Sequence, residues 1–184
     1  MRRLFFLPIL LALLLTSCSK TAKPYETVKQ FSEAMKSLDE DGMKLCFSQD
    51  SSFSLEILNG ENVLPLMDYF RGEAAEIQYS VYDTEIAEDQ AIVTMIYDYR
   101  DSGAAFKAAK EAFVEASVSQ ALSGETDIAS FVDYFEKEAW RGGNKADARV
   151  EFTLVKEGEE WKIREIDESI YDVMLCGFPT VVSP

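Results

Sequence analysis

Apolar residues at steps of three and four open the body of the chain. Tyr25, Val28, Phe31, Met35 and Leu38 share one face, while Glu26, Lys29, Glu33 and Lys36 lie elsewhere round the wheel. That spacing predicts an amphipathic helix of about four turns, and Pro24 suits its first turn. Asp39-Glu40-Asp41-Gly42 breaks it, and residues 43–47 read as a second, short helix. Residues 52–58 predict a strand with Phe53, Leu55 and Ile57 on one face, followed by a turn at Asn59-Gly60. Residues 63–70 predict a third helical piece, with Pro65 near its start and Gly72 as its stop.

The period then changes to two. Ile77, Tyr79 and Val81 alternate with Gln78 and Ser80. After a turn at Ala87-Glu88-Asp89, residues Ala91, Val93, Met95 and Tyr97 alternate with Ile92, Thr94 and Ile96. This predicts a long hairpin whose second strand, apolar on both faces, is central in its sheet. From about 103 to 141 the β pattern stops and two helices are expected. The first covers 104–122, an Ala-rich stretch holding Phe106, Phe113 and Val114. The second places Ile128, Phe131, Val132, Phe135 and Ala139 on one stripe, with Asp127 as its cap. A second hairpin follows: Val150, Phe152 and Leu154 alternate with Arg149, Glu151 and Thr153, Gly158 turns the chain, and Trp161, Ile163 and Ile166 return. Trp161 is expected in the core, in the same layer as Phe152. The tail carries Ile170, Val173, Met174, Leu175 and Phe178, which predicts that it docks.

The first twenty residues differ from the rest. Met1-Arg2-Arg3 is a positive start and residues 4–15 are apolar, interrupted at Pro8. That run suits an export signal better than a membrane span, which needs about 20 apolar residues. It ends in Leu15-Thr16-Ser17-Cys18, which resembles the lipobox of bacterial lipoproteins. The resemblance implies that residues 1–17 are removed and that the Cys18 thiolate takes a lipid before becoming the first residue. Two acyl chains suffice for stable anchoring. Residues 18–23 then form a lipidated tether, its five residues after Cys18 spanning at most about 17 Å. The plain alternatives are an ordinary secretory signal or an uncleaved anchor. The expected location is extracytoplasmic and lipid-anchored, at the cell membrane or the outer membrane.

Composition narrows the function classes. The 184 residues hold 18 Lys+Arg against 33 Asp+Glu, a formal charge of −15, with 47% hydrophobic residues. Residues 24–184 are the size of one domain with a real core. So acidic a chain cannot assemble the basic face that nucleic acid needs. Histidine is absent, which removes the commonest general base and metal ligand. The remaining cysteines, Cys46 and Cys176, sit in apolar settings. They read either as buried small hydrophobes or as a disulfide, which is permitted in an exported chain.

The order of elements, together with Phe31-Ser32-Glu33-Ala34-Met35-Lys36-Ser37-Leu38 and the Gly158…Trp161-Lys162-Ile163 hairpin, is similar to the NTF2-like superfamily, and in particular to its bacterial lipoproteins of unknown function. The resemblance covers 25–102 and 146–168. It implies an α+β cone, a curved antiparallel sheet wrapped around the N-terminal helix, with the helical pair at 103–141 as an insertion. A cystatin-like α+β sheet is the alternative. Enzymes of the superfamily use an Asp–His pair or an acidic base beside Tyr in the cone. Without histidine that dyad cannot be carried over.

Candidate chemistry is sparse. Asp98, in Tyr97-Asp98-Tyr99-Arg100-Asp101, is either a base in a half-buried pocket or a solvent-facing residue on a strand leaving the core, the reading adopted. Asp39-Glu40-Asp41 and Glu157-Gly158-Glu159-Glu160 lack the ligand spacing of a calcium loop and read as solvated turns. Tyr79, Tyr97 and Phe152 occupy cone-facing positions and are the candidates for lining a small apolar cavity, against plain core packing. Ile128, Phe131, Val132 and Phe135 are the candidate partner-binding stripe, against packing within the fold. The inserted pair is expected to act as a lid or docking face outside the main core. No cofactor or metal is expected. The expected function is a membrane-anchored, non-catalytic module that binds an envelope protein or a small apolar ligand. The alternatives are an assembly module of an envelope complex, or a hydrolase or isomerase using the cone.

Overall fold

The structure is a computed structural model that describes residues 23–60, 63–123, 131–139 and 144–179. Cys18, the expected signal at 1–17 and Ile128 lie outside the described residues. Helix α1 (Pro24–Lys36) starts with Pro24 in its first turn and buries Val28, Phe31, Ser32 and Met35. It ends in a Schellman arrangement. The Leu38 amide donates to the Met35 carbonyl (2.9 Å) and the Asp39 amide to the Ala34 carbonyl (2.9 Å), with Leu38 at φ 49° where glycine is usual. Helix α2 (Glu40–Lys44) is capped by Asp39, whose carboxylate accepts from the Gly42 amide.

The expected strand at 52–58 does not form. Single turns of 3₁₀ helix run over Glu56–Asn59 and Leu64–Leu66, and Leu55 and Leu58, three apart, are the buried residues, which suits the 3₁₀ repeat. The position beside Ile163 that such a strand could take is filled by Phe47, through Ile163 N–H to the Cys46 carbonyl (2.8 Å) and Ser48 N–H to the Ile163 carbonyl (2.9 Å). Helix α3 (Met67–Ala75) runs through Gly72 rather than stopping there. A Cβ at Gly72 would meet nothing within 4 Å, so this glycine serves neither a turn nor a close approach.

The sheet is antiparallel, in the order β1 (Gln78–Ala87), β2 (Gln90–Asp101), β3 (Asn144–Glu157), β4 (Glu160–Ile166). Strand β2 is interior as expected, with Ala91, Val93, Met95 and Tyr97 facing the core. Register shifts at Val81/Asp83 and Thr153/Leu154 are bulges that bend the sheet, and α1 packs against β1, β2 and β4. Trp161 is buried. It pairs with Lys156, two positions beyond Leu154 in the Phe152 layer, and the Thr27 hydroxyl donates to its carbonyl (2.9 Å). Helix α6 (Ser169–Met174) and the residues after it bury Ile170, Val173, Met174, Leu175 and Phe178, so the tail docks as expected. Cys46 and Cys176 are both buried free thiols.

The insertion forms α4 (Gly103–Ser123) and α5 (Phe131–Ala139), which pack on each other. Its base belongs to the main core, contrary to expectation. Phe106 and Phe135 are fully buried, and around them stand Tyr69, Phe70 and Phe178 at centroid distances of 4.7–6.3 Å. A single aromatic cluster therefore joins α3, the insertion and the tail. The reason is the tail itself: Phe178 has to be covered, and the first turn of α4 is the surface beside it.

Candidate functional site: an acidic cleft and an exposed stripe on α4

Strand β2 leaves the core at Tyr97. Up to that point the inner face of the sheet is solid. Tyr79, Tyr97 and Phe152 come together there, with centroids 6.1 and 6.5 Å apart, and Phe31 from α1 closes on Phe152 at 5.7 Å. Tyr97 and Phe152 have no exposed surface. The Ser32 hydroxyl donates to the Val28 carbonyl (2.8 Å), so its single proton is committed and the Tyr97 phenol must donate to Ser32 Oγ (2.6 Å). Burial holds the Tyr97 phenol well above the ordinary tyrosine range. Tyr79 is half-buried at the rim and donates to Glu33 Oε1. Burial first, and the Glu33 carboxylate second, push its phenol up to about 12. None of the three lines either of the large clefts described below.

Two residues further along β2, Tyr99 stands between two surface clefts. The first, about 830 Å³, opens where the end of β2, the first turns of α4 and the tail meet. Its carboxylates are Asp101 and Asp172 beside Tyr99, and Glu111 and Glu115 along α4; its cations are Lys107 and Lys110. Asp101 also caps α4 by accepting from the Gly103 amide (2.8 Å). Burial, followed by Asp101 and Asp172, pushes the Tyr99 phenol up to about 12. It stays a neutral hydroxyl in a negative surround. The second cleft, about 760 Å³, lies across the strand ends with Glu73, Glu76, Asp98 and Asp147 against Arg100 and Lys145. Arg100 pairs with Glu73 (3.0 Å), and Asp98 stands directly across from Asp147 in the β2–β3 register. Asp98 is exposed, the solvent-facing placement adopted from the sequence.

The partner-binding residues expected on α5 are turned inward. Phe135 lies flat on Phe106 at 4.1 Å, and Phe131 meets Phe113 edge-on at 6.1 Å. Val132 is half-buried against the core. Among the described residues, an apolar row at helical spacing faces solvent on α4: Val114, Val118 and Leu122 are 52%, 57% and 84% exposed. Their spacing of four puts them on one face, and Val114 also lines the first cleft, so the stripe continues the cleft along the helix. The sequence carried this spacing, but α4 has apolar residues on nearly every side and no single face stood out.

No protein-family model matches the chain, and no curated protein matches its sequence. Among solved structures it is similar to a candidate ketosteroid isomerase from Shewanella frigidimarina (15% identity, TM-score 0.44, covering 80% of this chain and 95% of that one). It is also similar to two NTF2-like proteins of unknown function. The one from Shewanella baltica is 11% identical with TM-score 0.39, covering 77% of this chain and 86% of that one. The one from Shewanella oneidensis is 11% identical with TM-score 0.40, covering 77% and 92%. What the chain does has to be read from its own residues.

Proposed function

We propose that this chain is a lipid-anchored protein of the cell envelope that works as a non-catalytic interaction module, meeting another envelope protein through the α4 face. One contrast carries the reading. The interior where a small apolar ligand would sit is filled by Phe31, Tyr97 and Phe152, whereas Val114, Val118 and Leu122 stand in water beside an open cleft. Each such side chain is worth about 1.5–3 kcal/mol when covered, so an apolar row at helical spacing is the part of this surface that gains most from a partner. Anchoring through Cys18 would hold the domain within a short tether of the bilayer. Asp98 at the surface, and a chain with no histidine, support binding rather than acid–base catalysis.

The test is a photo-crosslinking side chain at position 118 of the full chain in cells, with position 149 on the sheet as control. A protein adduct at 118 that is absent at 149 is expected. Equal crosslinking at both positions would sink the reading. Separately, intact mass should show Cys18 lipidated, and Cys18→Ala should free the chain from membranes or leave an uncleaved precursor. An unmodified mature Cys18 would overturn the anchor.

A further inference from the structure

The partner's chemistry can be read from what surrounds the α4 stripe. At one end of the stripe Tyr99, Asp101 and Asp172 form the floor of the 830 Å³ cleft. Glu111 and Glu115, both exposed, follow along the helix, and Val114, Val118 and Leu122 continue it to the far end. Four carboxylates line the cleft against two ammonium groups, Lys107 and Lys110. Lys107 is one helical turn before Glu111, a spacing at which opposite charges offset one another. A second copy of this chain, in which 33 Asp+Glu outnumber 18 Lys+Arg, would be repelled from an acidic surface, as would an anionic bilayer.

We infer that the cleft and the stripe together take one basic amphipathic segment of a partner protein, with a lysine or arginine seated among Asp101, Asp172 and Tyr99 and apolar residues laid along Val114, Val118 and Leu122. This deepens the interaction reading and rests on it. The 21-residue α4 is roughly 30 Å long, so the segment it matches is a helix of several turns whose apolar positions repeat at three and four. Charge steers the encounter and sets its sign, and the apolar row holds the complex.

The experiment measures binding of the full chain, in nanodiscs of zwitterionic lipid, to two fluorescent helical peptides. They share one leucine face, and lysine on the other face of the first is replaced by glutamate in the second. The lysine peptide should bind and the glutamate peptide should not. Val118→Ser with Leu122→Ser, and separately Glu111→Gln with Glu115→Gln, should each weaken the lysine peptide by about tenfold or more. Only the acidic pair should also flatten the salt dependence. All four side chains are exposed, so equal melting temperatures will certify the variants. Binding of the glutamate peptide would overturn the inference in favour of an anion held by Lys107 and Lys110. Unchanged lysine-peptide binding in the serine variant would overturn it as diffuse charge attraction. Leu122-dependent self-association without peptide binding would overturn it in favour of a second copy. If position 118 still crosslinks one protein in cells while the peptides fail, the interaction reading survives and the basic partner falls.

Discussion

Phe106 and Phe135 lie face to face, with ring centroids 4.1 Å apart and planes 4° from parallel. Both are fully buried. This contact ties the two inserted helices to each other at the point where both enter the core. Removing 104–141 would therefore uncover Tyr69, Phe70 and Phe178, and a chain so shortened is expected to lose its cooperative melt. Phe106→Ala or Phe135→Ala alone should cost about 3–5 kcal/mol in a denaturant titration. The double variant should cost less than the sum, because the two rings share one contact. A loss below about 1 kcal/mol for either would show that the insertion is an appendage after all.

Gly177 and Gly158 offer a controlled comparison. Both have left-handed φ, 78° and 65°, so alanine at either should cost about 1–2 kcal/mol from backbone strain alone. At Gly158 an added Cβ meets nothing within 4 Å. At Gly177 it would run into Asp101 Oδ1 and displace the cap on Gly103. Gly177→Ala should thus melt clearly below Gly158→Ala by circular dichroism. Equal melting temperatures would mean that Asp101 moves aside freely.

Five phenols carry folded values above the ordinary range: Tyr69, Tyr79 and Tyr99 at about 12, Tyr97 higher, and Tyr171 raised chiefly by burial. Below the unfolded phenol value of about 10 they are neutral in both states and stability is unaffected. As pH rises beyond that value the unfolded chain ionises first, so stability falls towards the folded values. Urea midpoints should accordingly drop between about pH 10 and 12. Tyr97→Phe should shallow that drop, and at neutral pH it should cost about 1 kcal/mol for the lost bond to Ser32. An unchanged alkaline slope would argue that Tyr97 is not desolvated.

Trp161→Ala should cost about 3–5 kcal/mol, since the ring is buried beside α1 and its backbone carbonyl accepts from Thr27. The measurement is a urea melt followed by circular dichroism. A cost under about 1 kcal/mol would contradict the burial of this ring.

Much of this architecture was legible in period and turn chemistry. The period of two located both hairpins, the Glu88-Asp89 and Gly158 turns set their registers, and the apolar tail forecast its own docking. What failed shares one cause: local pattern does not report what is already occupied. Residues 53–57 alternate like a strand, yet Phe47 holds the neighbouring position at Ile163. Gly72 looked like a stop, but the helix around it is fixed by burial of Phe70 and Ala74. The α5 stripe stays open in sequence between a partner and packing within the fold, because Phe106, its cover, lies far from Phe135 along the chain. No exposed row was expected on α4, where the core takes Phe106 and Ala109 and leaves Val114, Val118 and Leu122 in water.

The bulge between Val81 and Asp83 also bears on how crowded copies of this protein coexist. Strand β1 is a sheet edge ten residues long, which is the usual template for strand-to-strand polymerisation. The bulge breaks its row of backbone donors and acceptors near the middle, so an incoming strand finds no continuous register. Asp83 and Glu85 add like-charge repulsion against an identical edge. Copies of this chain brought close together would thus keep their β1 edges apart, with no continuous backbone pairing between them.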